Sequence, residues 1–454
     1  MLFKEIIEKL WDTRRDLVSD GYDEAITYLQ SLLPGSKIHS FPSGYKTETW
    51  TVPKKWTVTE AYIKNNKTKQ KLIDIQNHGL HVMSYSQSVN IPHATWQEVN
   101  EKIYSNPECN WGIPFKFSYY KDDWGFCCAD KFRPTAVSQE FCDDFTVKIK
   151  SKFSKGSLKV LEYIIPGKRK EEILVMAHLD HPFQVNDGLS GVAGLVDLAL
   201  NIKDNKYTYR FWILPETIGS LCMLHKFSKE NIKIAIFLDM IGVNGPLICQ
   251  QPYSWHNPLR EVINKIAKNG SGLFINNNII SCNKKDLILT DNLRYIGNDD
   301  RVLNFIRIPC YSFNRVTDSS NEFGKPFLEY HTHVDNKYDE DNIMLTVTSL
   351  IDIFKYYEQD DYAKSIINEM PCFSNFGLYN FMSDIFSLVE KERILSYIQN
   401  NYTTIDNIAT NFRKTYENVL LLLKEFEKYD LVKIITLEEL EKLLEKSGGL
   451  TQNV

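Results

Sequence analysis

The strongest constraint on the fold is a series of short apolar segments that alternate with helical stretches between about residues 145 and 370. The segments are rich in Val, Ile, Leu and aromatic residues, which is typical of strands buried on both faces of a sheet. The predicted strands are 160–165, 173–177, 209–214 and 234–238, and the predicted helices are 192–202 and 257–268. This alternation predicts an α/β fold, a mixed, largely parallel sheet with helices on both faces. In such a fold, a ligand site lies beyond the carboxyl ends of the strands.

The residues before this alternation form two regions of different character. Residues 1–34 carry apolar side chains at helical spacing. From about 45 to 130, short β-rich pieces are separated by polar turns, and they include 49–52, 60–63 and 80–85. We therefore predict a separate β module that is inserted into the α/β domain.

The C-terminal region has a third pattern, three short helices followed by a strand. The helices are predicted at 394–399, 405–412 and 415–429, and the strand at 431–435. This order is that of a winged-helix domain. The predicted organisation is an α/β domain of residues 1–44 and 131–370, an inserted β module of residues 45–130, and a winged-helix domain of residues 371–454.

Composition excludes several classes of protein. No stretch approaches the roughly 18 apolar residues of a membrane span, and the charged N-terminal residues, Met1 to Lys9, do not resemble a secretory signal. Nine cysteines are spread thinly over 454 residues without a CxxC pair. This usage favours a reducing compartment and argues against a cysteine zinc cluster. We therefore expect a soluble cytoplasmic protein with no membrane partner.

Charge argues against nucleic acid as a partner. The chain has a net charge of −5, and residues 371–454 carry nine Lys or Arg against twelve Asp or Glu, a net charge of −3. Phosphate binding requires clustered cations. The predicted third helix also contains the apolar run 419–423, which covers more than one helical face. We expect this region to pack against the rest of the chain or to form a homo-oligomer.

Imidazole and carboxylate side chains follow directly after the predicted strands. His178 lies in AHLDHP, and Asp187 follows nine residues later in NDGLSG, which opens a helix. Glu216 in PETIGS and Asp239 in FLDMIG follow two further strands, and His331 lies in YHTHVD. Zinc binds such nitrogen and oxygen ligands, and metal-assisted hydrolysis requires a nearby carboxylate to accept a proton from water. The sequence therefore predicts a zinc site at the strand ends.

The order of these motifs resembles that of co-catalytic zinc aminopeptidases over residues 145–370. The whole chain more closely resembles a poorly characterised bacterial family that pairs an aminopeptidase-like domain, interrupted by a β module, with a C-terminal winged helix. The segments 44–53, 124–127 and 186–191 carry that closer match. The resemblance implies a phosphorylase/hydrolase-like sheet and a zinc hydrolase that acts on small peptides or amide-linked conjugates.

The resemblance also implies a role for each matched residue. His178 and Asp239 bind the first metal, and Asp180 orients the other ring nitrogen of His178. Asp187 bridges two metals, and His331 binds the second. The general base is the residue that lies three positions before the glycine of the ExxG motif, which is Glu216.

Two positions depart from the family pattern. A carboxylate that binds the second metal normally follows the base, but this position is Thr217, and a neutral hydroxyl is a poor ligand. The loop between His178 and Asp187 is also shorter than in well-studied members and contains an extra histidine, His181, which can reposition the ligands. We therefore expect one tightly bound zinc and a weak or absent second metal.

Simpler interpretations remain open at several positions. Asp187 also suits a helix N-cap, and Glu216 also suits a solvated loop. His181 and His333 each fit a ligand, a substrate contact or a loop histidine. In an extended segment, His331 and His333 point the same way, so either could bind the second metal.

Two functions are therefore consistent with the sequence. One is a zinc hydrolase, favoured by Glu216, since a protein that only binds has no evident need of a base. The other is a regulatory or binding protein that keeps the fold but has lost turnover, favoured by Thr217. A loop of three charged residues, Asp299, Asp300 and Arg301, fits either substrate binding, as the resemblance implies, or a salt-bridged turn.

Overall fold

The computed structural model describes residues 2–133, 143–203, 205–253, 259, 273–275, 278–280, 287–291, 293–318, 320–358, 361–400, 402–436, 439–440 and 443. The chain divides into two compact units, Met1–Phe354 and Lys355–Val454. Within the described residues, no helix is long and apolar enough to cross a bilayer. The cysteines of the described part are free thiols.

The helices and strands have the following bounds. The α-helices are Leu2–Leu10, Asp20–Leu32, Trp96–Asn100, Gly191–Asn201, Ile218–Lys226, Asp299–Phe305, Glu340–Tyr357, Leu388–Tyr397, Ile405–Phe412 and Tyr416–Glu427. The strands are β1 (Lys37–Pro42), β2 (Lys55–Asn65), β3 (Lys71–Asp74), β4 (Val89–Ala94), β5 (Ile103–Tyr104), β6 (Phe126–Cys127), β7 (Phe145–Ser154), β8 (Ser157–Ile165), β9 (Glu172–His178), β10 (Thr208–Leu214), β11 (Ile232–Leu238), β12 (Leu247–Gln250), β13 (Leu273–Ile275), β14 (Asn278–Ile280), β15 (Leu287–Thr290), β16 (Cys310–Arg315), β17 (Asp361–Ser365), β18 (Thr403–Thr404) and β19 (Val432–Thr436).

An eight-stranded sheet forms the centre of the first unit, with the order β1-β8-β10-β9-β11-β16-β12-β15. The four central strands, β10, β9, β11 and β16, run parallel. The strands β8 and β12 flank them in the antiparallel direction. The prediction of a mixed, largely parallel sheet is confirmed, and each of the four predicted strands lies within β8, β9, β10 or β11.

Helices cover both faces of this sheet, which explains why every residue of β9 is buried. On one face, Leu174 and Met176 of β9 share a core with Ile218, Cys222 and Leu303 from two helices. The helix Gly191–Asn201 also packs on β9 and β11. This helix is the one predicted at 192–202. The helix predicted at 257–268 lies outside the described residues, apart from Leu259.

The inserted β module forms a four-stranded sheet with the order β3-β2-β7-β4. The chain leaves the main sheet after Pro42 of β1 and returns to it at Ser157 of β8, because β1 and β8 pair directly. The strand β7 therefore belongs to the insertion by its pairing with β2 and β4, although it lies beyond residue 130, where we predicted the module to end.

Two predicted β-rich pieces of the module are not strands, and one of them, 49–52, contains only an isolated bridge at Thr51. Residues 80–85 begin in a 3₁₀ turn, Gly79–His81, and continue in isolated bridges at Val82 and Ser84. The reason is local, because the side chain of His78 accepts a hydrogen bond from the N–H of Leu80 and caps the turn. A capped turn of this kind competes with strand pairing.

The second unit contains the predicted three helices and strand, and β17, β18 and β19 form its small sheet. Of the apolar run 419–423, Val419, Leu422 and Leu423 lie in the core of this unit. Leu421 is 52% exposed. The core of this unit therefore buries three of the five residues of the run, so less of the run is left for contacts outside the unit than the sequence predicted.

Candidate metal centre

Three neighbouring parallel strands, β10, β9 and β11, end at one edge of the main sheet, and the predicted ligands lie at this edge. His178 is the last residue of β9, and Asp239 directly follows β11. Glu216 follows β10 after one intervening residue. The parallel register therefore gathers residues that are far apart in the sequence at one place.

Asp187 reaches the same edge through the kinked segment Asn186–Ser190, which connects β9 to the helix Gly191–Asn201. Gly188 has a φ of +90°, and a Cβ at this position would lie 2.7 Å from the carbonyl oxygen of His178. Glycine is therefore required for so close an approach. Asp335, the aspartate of the HTHVD motif, fixes the loop by accepting a hydrogen bond of 2.9 Å from the N–H of Asp187.

The structure does not support an N-cap role for Asp187. The N-cap of the helix Gly191–Asn201 is Ser190. Both carboxylate oxygens of Asp187 are buried and make no hydrogen bond. The side chain is aimed at the histidines and not at the N–H groups of the helix.

The first cluster contains His178, Asp187 and Asp239, all of them buried. The Nε2 atom of His178 lies 3.4 Å from Oδ1 of Asp187 and 3.3 Å from Oδ1 of Asp239. Ligands of a tetrahedral zinc ion at about 2.0–2.1 Å are separated by ~3.3–3.4 Å from each other. The two distances therefore match the edges of a zinc coordination shell.

The second cluster contains His181, Asp187 and His331. The Nδ1 atom of His181 lies 2.8 Å from Oδ1 of Asp187, and Nε2 of His331 lies 3.0 Å from Oδ2 of Asp187. Glu216 lies beside this cluster, with its Oε2 atom 3.4 Å from Nε2 of His181. Asp187 is thus shared by both clusters.

The donor atoms of these clusters fit a bound cation. Five buried nitrogen and oxygen atoms that face the clusters lack a hydrogen-bond partner, and these are Nε2 of His178, Nδ1 of His181, Oδ1 and Oδ2 of Asp187, and Nε2 of His331. An unsatisfied buried polar atom costs about 1–3 kcal/mol. Lone pairs that converge without forming hydrogen bonds are those that a metal ion satisfies, and imidazole with carboxylate is a set that zinc binds.

The electrostatic setting also favours a cation. Burial acts to lower the pKa of His178, but the carboxylate of Asp239 and contacts with Asp180 and Asp187 hold this pKa well above its ordinary value. Burial acts to raise the pKa of Asp187, but the imidazoles of His181 and His331 hold it well below its usual range. Each of these imidazoles therefore has at least one carboxylate in close contact.

Two buried carboxylates fix the loop that carries Glu216. Asp180 accepts a hydrogen bond of 2.8 Å from the N–H of Glu216, and its Oδ1 atom lies 3.6 Å from Nδ1 of His178. Asp299 accepts a hydrogen bond of 3.0 Å from the N–H of Thr217. Thr217 has a φ of +62°, which is unfavourable for a β-branched residue. The backbone beside the candidate base is therefore held in a strained conformation by its neighbours.

The assignment of Asp299 and Asp300 to a substrate loop is wrong. Both begin the helix Asp299–Phe305 and are fully buried, whereas Arg301 is exposed. Asp299 also accepts a hydrogen bond from the hydroxyl of Ser220, and burial raises its pKa to about 7. A carboxylate without exposed surface has no face for a substrate, so Asp299 supports the loop of Glu216 instead.

The prediction that His331 and His333 point the same way is also wrong. His331 has a φ of +57°, so the backbone is not extended there. His333 turns to the β module, where its Nδ1 atom accepts a hydrogen bond of 2.8 Å from the N–H of Ile113 and its ring contacts His78. The structure therefore places His331, and not His333, beside Asp187.

The β module takes part in the site, which no feature of the sequence indicated. The N–H of Phe115 donates a hydrogen bond of 2.7 Å to the carbonyl oxygen of His331, and Pro114 bridges to Thr332. The ring of Phe115 lies 5.2 Å from that of His181 and 5.9 Å from that of His331. The module therefore holds the second histidine loop and covers it with an aromatic ring.

The contribution of Arg15 to the site was also not predicted. Its guanidinium is fully buried and donates hydrogen bonds to the carbonyl oxygens of Leu179 at 3.0 Å, His181 at 2.6 Å and Gln184 at 3.0 Å. It therefore clamps the loop that contains His181 and directly follows His178. A single arginine between two helices carries no sequence signal for this role.

A cleft of about 450 Å³ opens beside His331. Glu108 of the β module and Lys325 form an ion pair of 2.8 Å at this cleft, and Tyr330 lines it next to His331. This volume is within the range of about 300–1,000 Å³ that is usual for small-molecule sites. The candidate ligand His331 therefore lies at the wall of a cleft of limited size.

Comparisons with known proteins agree with this description. A family model described as a domain of unknown function, DUF4910, matches residues 4–360. A curated protein of Clostridium acetobutylicum, named as a candidate polysaccharide biosynthesis protein with an aminopeptidase-like domain, is 37% identical over 246 residues. The match covers 53% of this chain and 55% of that protein, so this chain spans about half the length of the curated relative.

Solved structures show the same fold. A candidate peptidase from Clostridium acetobutylicum has a TM-score of 0.76 and 25% sequence identity, with 95% of this chain and 96% of that chain covered. A zinc aminopeptidase from Bacillus subtilis has a TM-score of 0.54 and 14% identity, with 78% and 94% covered. The resemblance to aminopeptidase-like proteins that the motifs predicted is confirmed, and the fold is that of the zinc aminopeptidases.

Proposed function

We propose that this chain, which belongs to the DUF4910 family of domains of unknown function, is a zinc-dependent hydrolase of the aminopeptidase type. Its substrates would be small peptides or amide-linked conjugates. The observation that carries the proposal is the set of buried, unpaired ligand atoms on His178, His181, Asp187 and His331, with the carboxylate of Glu216 beside them. We assign the tightly bound zinc to His178, Asp187 and Asp239.

Three side chains, those of Glu216, Asp180 and Phe115, have separate roles in the proposed hydrolysis. Bound zinc supplies a Lewis acid that polarises a carbonyl group and lowers the pKa of water. Glu216, whose side chain is 30% exposed, accepts a proton from water and delivers it to the leaving amine. Asp180 holds the backbone of Glu216 and faces the ring of His178. Phe115 covers the imidazoles of His181 and His331 and limits the access of water.

A second candidate function is a metal-binding regulatory or binding protein with little or no turnover. Thr217 favours it, because the hydroxyl replaces a carboxylate ligand of the related aminopeptidases. The position of Glu216 favours the hydrolase. Its carboxylate is accessible to solvent and lies 3.4 Å from the candidate ligand His181, where it can act as a general base. A screen of aminoacyl substrates with zinc-loaded and metal-free protein separates the two functions.

The cleft predicts a limit on substrate size. The β module reaches the rim of the cleft through Glu108 and the His331 loop through Phe115. We expect zinc-dependent release of N-terminal residues from short peptides and small conjugates, and no cleavage of folded or denatured full-length proteins. Mass spectrometry of a peptide length series and of a denatured protein measures this. Efficient cleavage of the denatured protein would contradict the size limit.

We also propose that the C-terminal unit, which we interpret as a winged helix, serves subunit or domain contacts and does not bind DNA. Its net charge of −3 over residues 371–454 opposes phosphate contacts, and Leu421 exposes an apolar surface. Removal of residues 361–454 is expected to lower the melting temperature or to change the oligomeric state, measured by thermal melts and light scattering. An unchanged truncated protein, together with micromolar binding of duplex DNA that weakens steeply with salt, would refute this role.

A further inference from the structure

We propose that His181 supplies the ligand that Thr217 does not, so that the chain binds a second divalent cation between His181, Asp187 and His331. This inference rests on the proposed function, because the first zinc shares Asp187 with the second site. The second ion would use two imidazoles and one carboxylate, where the related aminopeptidases use a further carboxylate.

The geometry of the cluster carries this inference. The donor atoms of His181, Asp187 and His331 all lie within 4.8 Å of one another. Each imidazole nitrogen is within 3.0 Å of an oxygen of Asp187, but neither contact is a hydrogen bond. Both contacts are short enough for a cation at about 2.0–2.2 Å from each donor to bridge either imidazole and Asp187.

The surroundings of His181 select the nitrogen that faces the cation. Its Nε2 atom lies 3.4 Å from the carboxylate of Glu216, and its Nδ1 atom faces Asp187. A ligating histidine usually donates its other N–H to a carboxylate or carbonyl group, which fixes the tautomer. Glu216 therefore faces Nε2, and Nδ1 is the ring nitrogen that faces Asp187 and the proposed cation.

The backbone of His181 is fixed in this position. Arg15 donates to its carbonyl oxygen at 2.6 Å and to that of Leu179 at 3.0 Å, and the ring is covered by Phe115. His181 is buried, and its Nδ1 atom lies 2.8 Å from Oδ1 of Asp187 without forming a hydrogen bond. The loop is therefore preorganised to present this nitrogen.

The two sites should differ in affinity. The first offers two carboxylates and one imidazole, and all three side chains are buried. The second offers one carboxylate, which it shares, and the side chain of His331 is 34% exposed. The second ion is therefore bound more weakly and is lost first on dialysis.

Titration of the metal-free full-length protein with Zn²⁺ alone tests the inference by calorimetry. The wild-type chain is expected to bind about two ions in separate tight and weak events, since each cluster offers three ligands. His181→Ala is expected to lose the weak event and keep the tight one. His333→Ala is the matched control, because His333 faces the β module, and it should keep both events. His181→Gln provides a second variant, and thermal melts verify that each variant is folded.

Two results would overturn the inference. One is a wild-type chain that binds a single ion, and the other is a weak event that survives in both His181 variants. Hydrolysis does not enter this measurement, so its outcome is separate from that of the proposed function. A chain with two ions and no turnover would refute the hydrolase alone, and a chain with turnover and one ion would refute the second site alone.

Discussion

Replacing Glu216 with glutamine is expected to leave the zinc content unchanged and to lower the rate of hydrolysis by roughly 10²–10⁴-fold. Glutamine keeps the shape of the side chain and the hydrogen bond from the backbone N–H of residue 216 to Asp180, but it cannot accept a proton. Asp239→Ala is expected to lower the zinc content instead, because Oδ1 of Asp239 lies 3.3 Å from Nε2 of His178 in the first cluster. Metal analysis and rate measurements on both variants test this contrast.

The control for this pair is Glu101→Gln, an exposed carboxylate of the β module, which should change neither quantity. The sharpest alternative is that Glu216 is itself a ligand, because it lies with His178 and His181 in a third group of clustered donor atoms. If Glu216→Gln loses zinc as Asp239→Ala does, Glu216 is a ligand and the general base must be another group.

Replacing Arg15 with alanine is expected to lower the free energy of unfolding by about 3–5 kcal/mol. The change leaves the buried carbonyl oxygens of Leu179, His181 and Gln184 without their donor. It also removes one positive charge from the neighbourhood of Asp16 and Asp180, since both interact with Arg15. The loop of His178 and His181 should loosen, so zinc affinity should fall together with stability.

Urea denaturation of the metal-free protein measures the first effect, and zinc titration measures the second. Arg301→Ala is the matched control, because Arg301 is exposed, and its effect should stay within about 0.5 kcal/mol. A loss below about 1 kcal/mol for Arg15→Ala would show that the guanidinium does not clamp the loop.

The sequence was sufficient for the parts of the fold that have a local signature. Strands buried on both faces are continuous apolar runs, so β9, β10 and β11 could be recognised without their neighbours. Their parallel arrangement then places His178, Asp239 and Glu216 at one edge of the sheet. The convergence of the candidate ligands followed from these two steps.

The remaining features depend on contacts between distant residues. Three of the carbonyl groups that bind Arg15 lie more than 160 positions away, and Phe115 contacts a loop more than 200 positions away. The turn at His331 reflects a positive φ that the residue type does not predict. The strand β7 is amphipathic like its partners in the module, and its pairing alone shows where it belongs.

The most direct test of the zinc hydrolase is turnover of short aminoacyl peptides by the full-length protein, with its metal content measured in the same sample. The expected release of the N-terminal residue requires zinc, disappears on chelation, returns when zinc is added, and is lowered strongly in Glu216→Gln at equal zinc content. Full zinc occupancy without turnover across the substrate series, or equal turnover in Glu216→Gln, would contradict it. The first of these results would instead identify a metal-binding protein that keeps the aminopeptidase fold without the activity.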